Sequence, residues 1–255
     1  MLRVVGALAW RALSNAGRRP QFLAPLVVFP TLLLSVNVGG LSRTTDLPGF
    51  PEVHGFLDFQ LAAAIVQSLL LGGISTGIAS ALDIEGGFFD RLVAAPIPRV
   101  AIVLGRLAAG AVIAAGQCLW FLALGLVFGA HIEGGVAGVA IVLLIGVTAG
   151  VGFGAIGQAI ALRARSAATV QGIFPLVFVV LFMSSAFFPR ALLASPIDVI
   201  ARFNPLSYIA DGMRAPIISG VEAGPALEGL AAALGIVLVA GALSVLALRG
   251  RLRDA

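Results

Sequence analysis

GGVAGVAIVLLIGVTAGVGFGAIGQAIALRAR, residues 134–165, is the stretch on which the fold turns. Residues 134–162 contain no Asp, Glu, Lys, Arg or His over 29 positions, and then Arg163 and Arg165 stop the run. A helix needs about 20 apolar residues to cross roughly 30 Å of hydrocarbon. An arginine at mid-bilayer costs about 3 kcal/mol even on the lenient insertion scale. The run therefore reads as a crossing helix bounded by its arginines. Working outward, the same test finds five more uncharged runs, at residues 20–42, 59–82, 107–130, 166–189 and 229–248. The prediction is an all-α integral membrane protein, a single transmembrane domain over residues 1–255 with six transmembrane helices. Arg106 lies just outside the third run and is expected to reach back to the interface by snorkelling.

The composition agrees. Hydrophobic residues make up 60% of the chain and charged residues 11%, with a mean hydropathy of +1.08, whereas a soluble domain is about a quarter charged. All 16 basic residues are Arg. Without Lys there is no Walker A loop, so the chain is not by itself a P-loop ATPase. Cys118 is the one cysteine, and with only His54 and His131 it falls short of a usual zinc site. No cofactor or metal is expected in this chain. The pI of 10.9 does not point to nucleic acid, because the arginines are strung between apolar segments rather than clustered on a wetted face.

Arginine placement predicts orientation. With alternating loops, one side carries 12 arginines (Arg3, Arg11, Arg18, Arg19, Arg91, Arg99, Arg106, Arg163, Arg165, Arg249, Arg251 and Arg253) and the other 4 (Arg43, Arg190, Arg202 and Arg214). Both termini are therefore expected in the cytoplasm. A cleaved signal peptide ending near Asn37-Val38-Gly39-Gly40 is the alternative, but its apolar run is longer than a usual signal core. In residues 1–19, Arg3, Ala7, Arg11, Ser14 and Arg18 share one helical face, and Leu2, Val5, Ala9, Ala12 and Leu13 the opposite one. That pattern suits a helix in the cytoplasmic interface with Trp10 at its edge. A polar leader continuing the first span is the other reading.

Two connecting segments are not ordinary loops. Residues 83–99 open with Gly86-Gly87 and close with Pro96 and Pro98, isolating about two turns of helix. Phe88 with Leu92, and Phe89 with Val93, form i,i+4 apolar pairs, while Asp90 and Arg91 lie on the other side. Either something covers the phenylalanines or they dip into the interface. Residues 190–228 are too apolar for a solvated loop, and prolines 189, 196, 205, 216 and 225 cut them into pieces too short to cross. Asn204-Pro205 supplies a helix cap with proline at the first helical position. Two short re-entrant helices in the outer leaflet are expected, with Arg202, Asp211 and Arg214 pairing among themselves; an amphipathic loop lying flat is the alternative. Non-helical backbone at that depth must be buried in protein or face a water-filled cavity, so this segment is read as lining or lidding an external exit.

Glu85-Gly86, Arg91-Leu92, Ala95-Pro96-Ile97, Arg99 and Gly105-Arg106 together resemble the cytoplasmic segment of type-2 ABC exporter permeases, the daunorubicin-resistance and multidrug or lipid export group. Phe203-Asn204-Pro205-Leu206-Ser207-Tyr208, with Asp211 and Arg214, extends the resemblance. It implies that residues 86–95 form a coupling helix inserted into a groove on a separate ABC ATPase subunit, present in two copies and holding ATP and Mg. The implied coupling residues are Glu85, Gly86, Phe88, Phe89, Asp90, Arg91, Leu92, Pro96 and Arg99. Aromatic anchors suit a pocket and the two charges can set register. The resemblance also implies a second permease subunit, identical or homologous, and re-entrant elements before the last span. There Arg202, Asn204, Pro205, Tyr208, Asp211 and Arg214 would form an external gate. Exclusive use of Arg hints at a GC-rich bacterial genome, hence a bacterial inner membrane.

No Asp, Glu or His lies within the six runs. Proton-coupled carriers generally need an intramembrane titratable group, so energy delivered from outside the membrane is expected. Gln60, Gln67, Ser68 and Ser75 fall within about a 100° arc of the second run, and Phe174, Phe178 and Phe182 recur at i,i+4,i+8 in the fifth. These stripes suit the walls of a path for an amphipathic substrate, and the resemblance implies those spans at a dimer centre. Helix packing or lipid contact is the competing explanation. Gly146, Gly150, Gly154 and Gly157 form a small-residue stripe for close helix packing. Gly73-Ile74-Ser75-Thr76-Gly77 fits the serine-hydrolase elbow, but that elbow needs a strand-to-helix turn and a base. Pro30 and Pro175 are candidate kinks. The expected function is an ATP-driven exporter permease, not itself an enzyme, working by alternating access. A membrane-embedded lipid-modifying enzyme and an ion-driven carrier or channel are the alternatives.

Overall fold

The computed structural model describes residues 1–253, and among them there is no strand. In chain order the helices are α1 (Leu2–Gly17), α2 (Pro20–Leu41), α3 (Phe56–Glu85), α4 (Phe88–Ala94), α5 (Arg99–Val127), α6 (Gly135–Ala164), α7 (Ala167–Gly172), α8 (Phe174–Phe182), α9 (Ile197–Phe203), α10 (Pro205–Ile218) and α11 (Ala223–Arg253). Among the described residues five helices are long and apolar enough to cross a membrane: α2 with the turn after it, α3, α5, α6 and α11.

α3 is the central post, packed by α2, α5, α6, α7 and α10, while α6 also packs on α5 and α11. Lipid offers no hydrophobic drive between helices, so close approach depends on small residues. The α3–α6 crossing is a case of this. A Cβ on Gly73 would lie 2.6 Å from the Phe153 carbonyl oxygen, and one on Gly157 would meet the carbonyl of Gly73. Gly146 and Gly150 likewise receive Cys118 and Ala114 of α5, and Gly152 receives Ile236 of α11. Gly154, the remaining member of the expected stripe, has only ordinary contact with Thr76.

The helices overrun the uncharged runs. α3 takes in Asp58 and Asp83, α5 begins at Arg99, and α11 begins at Ala223 with Pro225 inside it. Charged residues at a helix end can reach headgroups or one another, so the hydrocarbon limit and the helix limit need not coincide. α6 stops at Arg165, whose left-handed backbone (φ 57°) ends the helix.

The fifth run departs from a single continuous span. Residues 167–182 are helical but broken at Ile173, and the backbone leaves the helix after Phe182. Pro175, lacking an N–H, sits in the first turn of α8 and explains the break. The end after Phe182 has a different cause: the side chain of Asn204 donates to the carbonyls of Val180 (2.8 Å) and Met183 (3.2 Å). Pro30, by contrast, stays inside a continuous α2, and Pro216 stays inside α10 rather than ending it.

Candidate functional site

At the end of the bundle formed by α1, the C-terminus of α3 and the start of α5, Asp83 is the hub. Its carboxylate accepts a forked pair from Arg11 (3.2 and 3.3 Å) and a further hydrogen bond from Arg106. Arg106 therefore turns inward to Asp83 instead of snorkelling outward. Arg11 also lies over Phe88, its guanidinium carbon 3.4 Å from the ring centroid. Arg11 thus faces the protein, whereas Leu2 and Trp10 are exposed. The contact side of α1 is formed by Val5 and Leu8, which close on Gly105 of α5.

α4 forms where the paired glycines and prolines predict it. Gly87 precedes it in the left-handed region (φ 69°), which glycine tolerates without strain. Its aromatic residues face differently from expectation. Phe89 is 4% exposed and packs in a cluster with Ile84, Ile102, Val103, Leu162 and Leu248, with Leu92 and Val93 against it. Phe88 lies under Arg11. The i,i+4 apolar pairs therefore seat α4 on this chain, and the outward side carries Asp90, Arg91 and Ala94, flanked by exposed Gly86, Pro96 and Arg99. Glu85 reaches across to the start of α7, where its Oε1 accepts from the backbone N–H of Ala167 at 2.8 Å.

Of the polar stripe on α3, Gln60, Gln67 and Ser68 are buried and Ser75 is half-buried. Ser68 donates to the carbonyl of Leu26 on α2 and accepts from the Gln117 amide of α5 at 2.9 Å, so it ties three helices. Gln60 and Gln67 behave otherwise. Both are 1% exposed, and both amide atoms of Gln60 and the Nε2 of Gln67 have no hydrogen-bond partner among the described residues. At 100° per residue, Gln60, Gln67 and Ile74 lie on one face, seven residues apart. Ile74 and Ser75 line a cleft of ≈ 530 Å³ between α2, α3, α7 and α8, with Gln21, Gln171, Phe174 and Pro175 on its other walls. Gln67 and Gln60 lie on the same face of α3 as the cleft, farther toward its opposite end, but are buried and do not line it. Phe174, Phe178 and Phe182 form a ladder with centroids 5.0 and 6.2 Å apart, extended by Phe29 of α2 at 5.7 Å and by Phe187 at 5.0 Å.

At that opposite end α10 is clamped to the chain after α8. Asn204 caps α10 through Leu206 N–H (3.0 Å) while its amide satisfies α8 carbonyls, so one side chain serves two helix ends. Pro205 occupies the first helical turn, as expected. Arg214 is 5% exposed. It pairs with Asp211 (2.6 Å), donates to the carbonyls of Phe59, Ser185 and Ala186, and lies 3.9 Å above the Phe59 ring. Burial pulls its guanidinium from the ordinary value down to about 10, against the attraction of Asp211, so it stays protonated at neutral pH. The other oxygen of Asp211 pairs with Arg190 at 3.1 Å. Arg202 stands apart from this network, with its nearest carboxylate on Asp198 at 3.8 Å, which corrects the expected three-way pairing. The Tyr208 hydroxyl donates to the Arg202 carbonyl, and its ring lies under Arg190.

The Asp83 hub, Gln117, Phe29 and Arg190 escaped the sequence reading. A signal for the hub was there, since Asp83 and Arg106 each border a run, but the partner of a bordering charge depends on helix packing. Gln117 is one amide within an apolar run, and its role depends on which way that face turns.

Over 210 residues the chain is 26% identical to the daunorubicin resistance ABC transporter permease protein of Streptomyces coeruleorubidus, covering 80% of this chain and 71% of that one. Proteins of Porphyra purpurea and Pyropia yezoensis named as transport permeases are 26% and 25% identical, each over 84% of this chain and 74% of theirs. The sequence pattern of one family matches residues 3–218, and with its apolar helices long enough to cross a membrane this chain belongs to the ABC-2 type transporter family of transport permeases.

Proposed function

We propose that this chain is the permease subunit of an ATP-driven exporter that moves a hydrophobic or amphipathic molecule out of the cytoplasm by alternating access. The observation that carries the reading is the cleft of ≈ 530 Å³ beside Ser75, with the buried, unpartnered amide of Gln60 and Nε2 of Gln67 on the same face of α3 beyond it. An apolar-walled cleft with a few polar groups suits an amphipathic substrate, and buried amides without partners inside the chain are free to meet one. Ser68, used up in tying helices, borders this path and does not line it. The Phe174–Phe178–Phe182 ladder supplies the aromatic wall. The daunorubicin resistance named for the Streptomyces relative supports a drug-like amphipathic cargo.

Six crossings in one domain follow if α7, α8 and the chain to Ala186 count as one. Support comes from both ends: Ala167 is bonded to Glu85 at one end of α3, and Ser185 and Ala186 are bonded through Arg214 to Phe59 at the other. Both termini are then cytoplasmic, matching the arginine excess of 12 against 4, and the membrane is the bacterial inner membrane. Residues 86–95 couple the chain to a cytoplasmic ABC ATPase, two copies of which hold ATP and Mg and supply all the hydrolysis. Asp90 and Arg91, with Gly86, Pro96 and Arg99 beside them, form the face offered to that partner. Phe88, Phe89 and Leu92 form the joint that passes its movement to α1 and α5, and Glu85 passes it to α7. A second permease subunit, identical or homologous, completes the path across the ladder face. Asn204, Pro205, Tyr208, Asp211 and Arg214, with Arg202 at the periphery, hold the external gate.

The test is co-purification of the solubilised chain with its ATPase, wild type against Arg91→Glu, with thermal unfolding of the free chain as control. Wild type should bring down a P-loop ATPase whose turnover responds to the permease. The charge reversal should lose that capture without lowering the melting temperature. Absence of any P-loop partner, transport by the purified chain driven by an ion gradient, or normal coupling by the variant would each defeat the proposal.

A further inference from the structure

Between α1, α2, α3 and α5, beside the Asp83 hub, lies a second cavity of ≈ 170 Å³, which meets the first cleft at Leu26 and Ser75. Its polar wall carries Arg11, Arg19 and Arg106 against the single carboxylate of Asp83. That carboxylate already accepts from both Arg11 and Arg106, and Arg19 makes no ion pair among the described residues. The wall therefore holds two positive charges in excess, with Arg11 and Arg106 partly buried around Asp83 and Arg19 exposed to solvent. The floor is apolar, formed by Leu23, Leu26 and Ile113. Gly110 keeps the space open, since a Cβ there would meet no atom within 4 Å. A cavity of ~150 Å³ accommodates a benzene-sized group, so a phosphate with its first carbons fits here.

We propose that this cavity binds the phosphate head group of an anionic phospholipid from the inner leaflet. Guanidinium forks match phosphate oxygens in pairs, and basic pockets between membrane helices on the cytoplasmic side hold anionic head groups. The apolar floor takes the start of the glycerol and acyl chains. The site rests on the reading that α1 lies at the cytoplasmic face. It adjoins the substrate cleft at Leu26 and Ser75, but its arginine wall takes no part in that cleft's lining. A lipid bound there would bridge α1 to α2 beside the Arg11–Phe88 contact, so occupancy would stiffen the seat of α4.

The experiment is native mass spectrometry of the delipidated full-length chain titrated with phosphatidylglycerol, phosphatidylcholine or inorganic phosphate. The wild type should bind phosphatidylglycerol about ten-fold more tightly than phosphatidylcholine. Arg19→Gln removes one charge and should weaken phosphatidylglycerol about five-fold, the equivalent of ~1 kcal/mol. Gly110→Leu fills the open space and should abolish the preference. Equal binding of the two lipids by the wild type, or unchanged preference in both variants, overturns the site. Inorganic phosphate displacing phosphatidylglycerol at millimolar concentration overturns the lipid assignment and leaves a site for soluble phosphate. Labelling of Arg19→Cys from the external side alone would refute the orientation, whatever the titration gives.

Discussion

Gln60→Met separates a packing stripe from a path. Both amide atoms of Gln60 are buried without a partner in the folded chain. Leaving a buried polar group unsatisfied costs about 1–3 kcal/mol. For side chains within membranes the measured scale is smaller, because the unfolded chain in lipid also finds partners. Met fills nearly the same shape with no group to satisfy, so the free chain should gain about 1–2 kcal/mol. For a chain of this size that raises the melting temperature by roughly 2–8 °C. If the amide serves the substrate, transport should fall at the same time; a ten-fold loss corresponds to ~1.4 kcal/mol of interaction. The assays are thermal unfolding in detergent, and ATP-dependent uptake of an amphipathic dye into inside-out vesicles containing the assembled transporter. A lower melting temperature would mean that the amide is satisfied in the folded chain. A higher melting temperature with full transport would mean that the glutamine line is not the path. Either result refutes the argument.

Phe89→Ala should lower the stability of the free chain by about 3–5 kcal/mol, the usual cost of deleting a buried aromatic, read as a fall in melting temperature. An unchanged melting temperature with loss of ATPase capture would instead return Phe89 to the role of partner anchor. Arg214→Ala leaves three carbonyls without their donor and Asp211 with Arg190 alone, and should cost about 3–5 kcal/mol. Arg214→Lys should melt between the two, because one ammonium cannot reproduce a planar fork reaching Phe59, Asp211 and Ala186 together; equal melting of Lys and Arg forms would show that charge alone matters.

Much of the architecture was legible because the bilayer acts as a strict solvent. Uncharged runs of 20 residues or more have few alternatives, and the limits of α2 and α6 follow the runs to within two residues. The Gly86-Gly87 and Pro96–Pro98 punctuation located α4, and Asn204-Pro205 located the start of α10, because these residues act on their own backbone. The fifth run reads as a span to residue 189 with a candidate kink at Pro175; the break lies there, but the helix ends earlier, at Phe182. Its early end depends on Asn204, 22 residues beyond Phe182, and no local pattern reports a hydrogen bond at that separation.

Sequence alone determined that the chain is a helical membrane protein, where the charges interrupt it, and which connecting segments are short helices. Those properties rest on transfer energies and backbone preferences that each residue carries with it. Tertiary structure decided which way each side chain faces: Phe89 inward, Arg11 and Arg106 onto Asp83, Ser68 satisfied and Gln60 not. These outcomes depend on how far each helix is rotated about its axis. That rotation is set by close glycine contacts such as Gly73 against Gly157, which exist only when both helices are present.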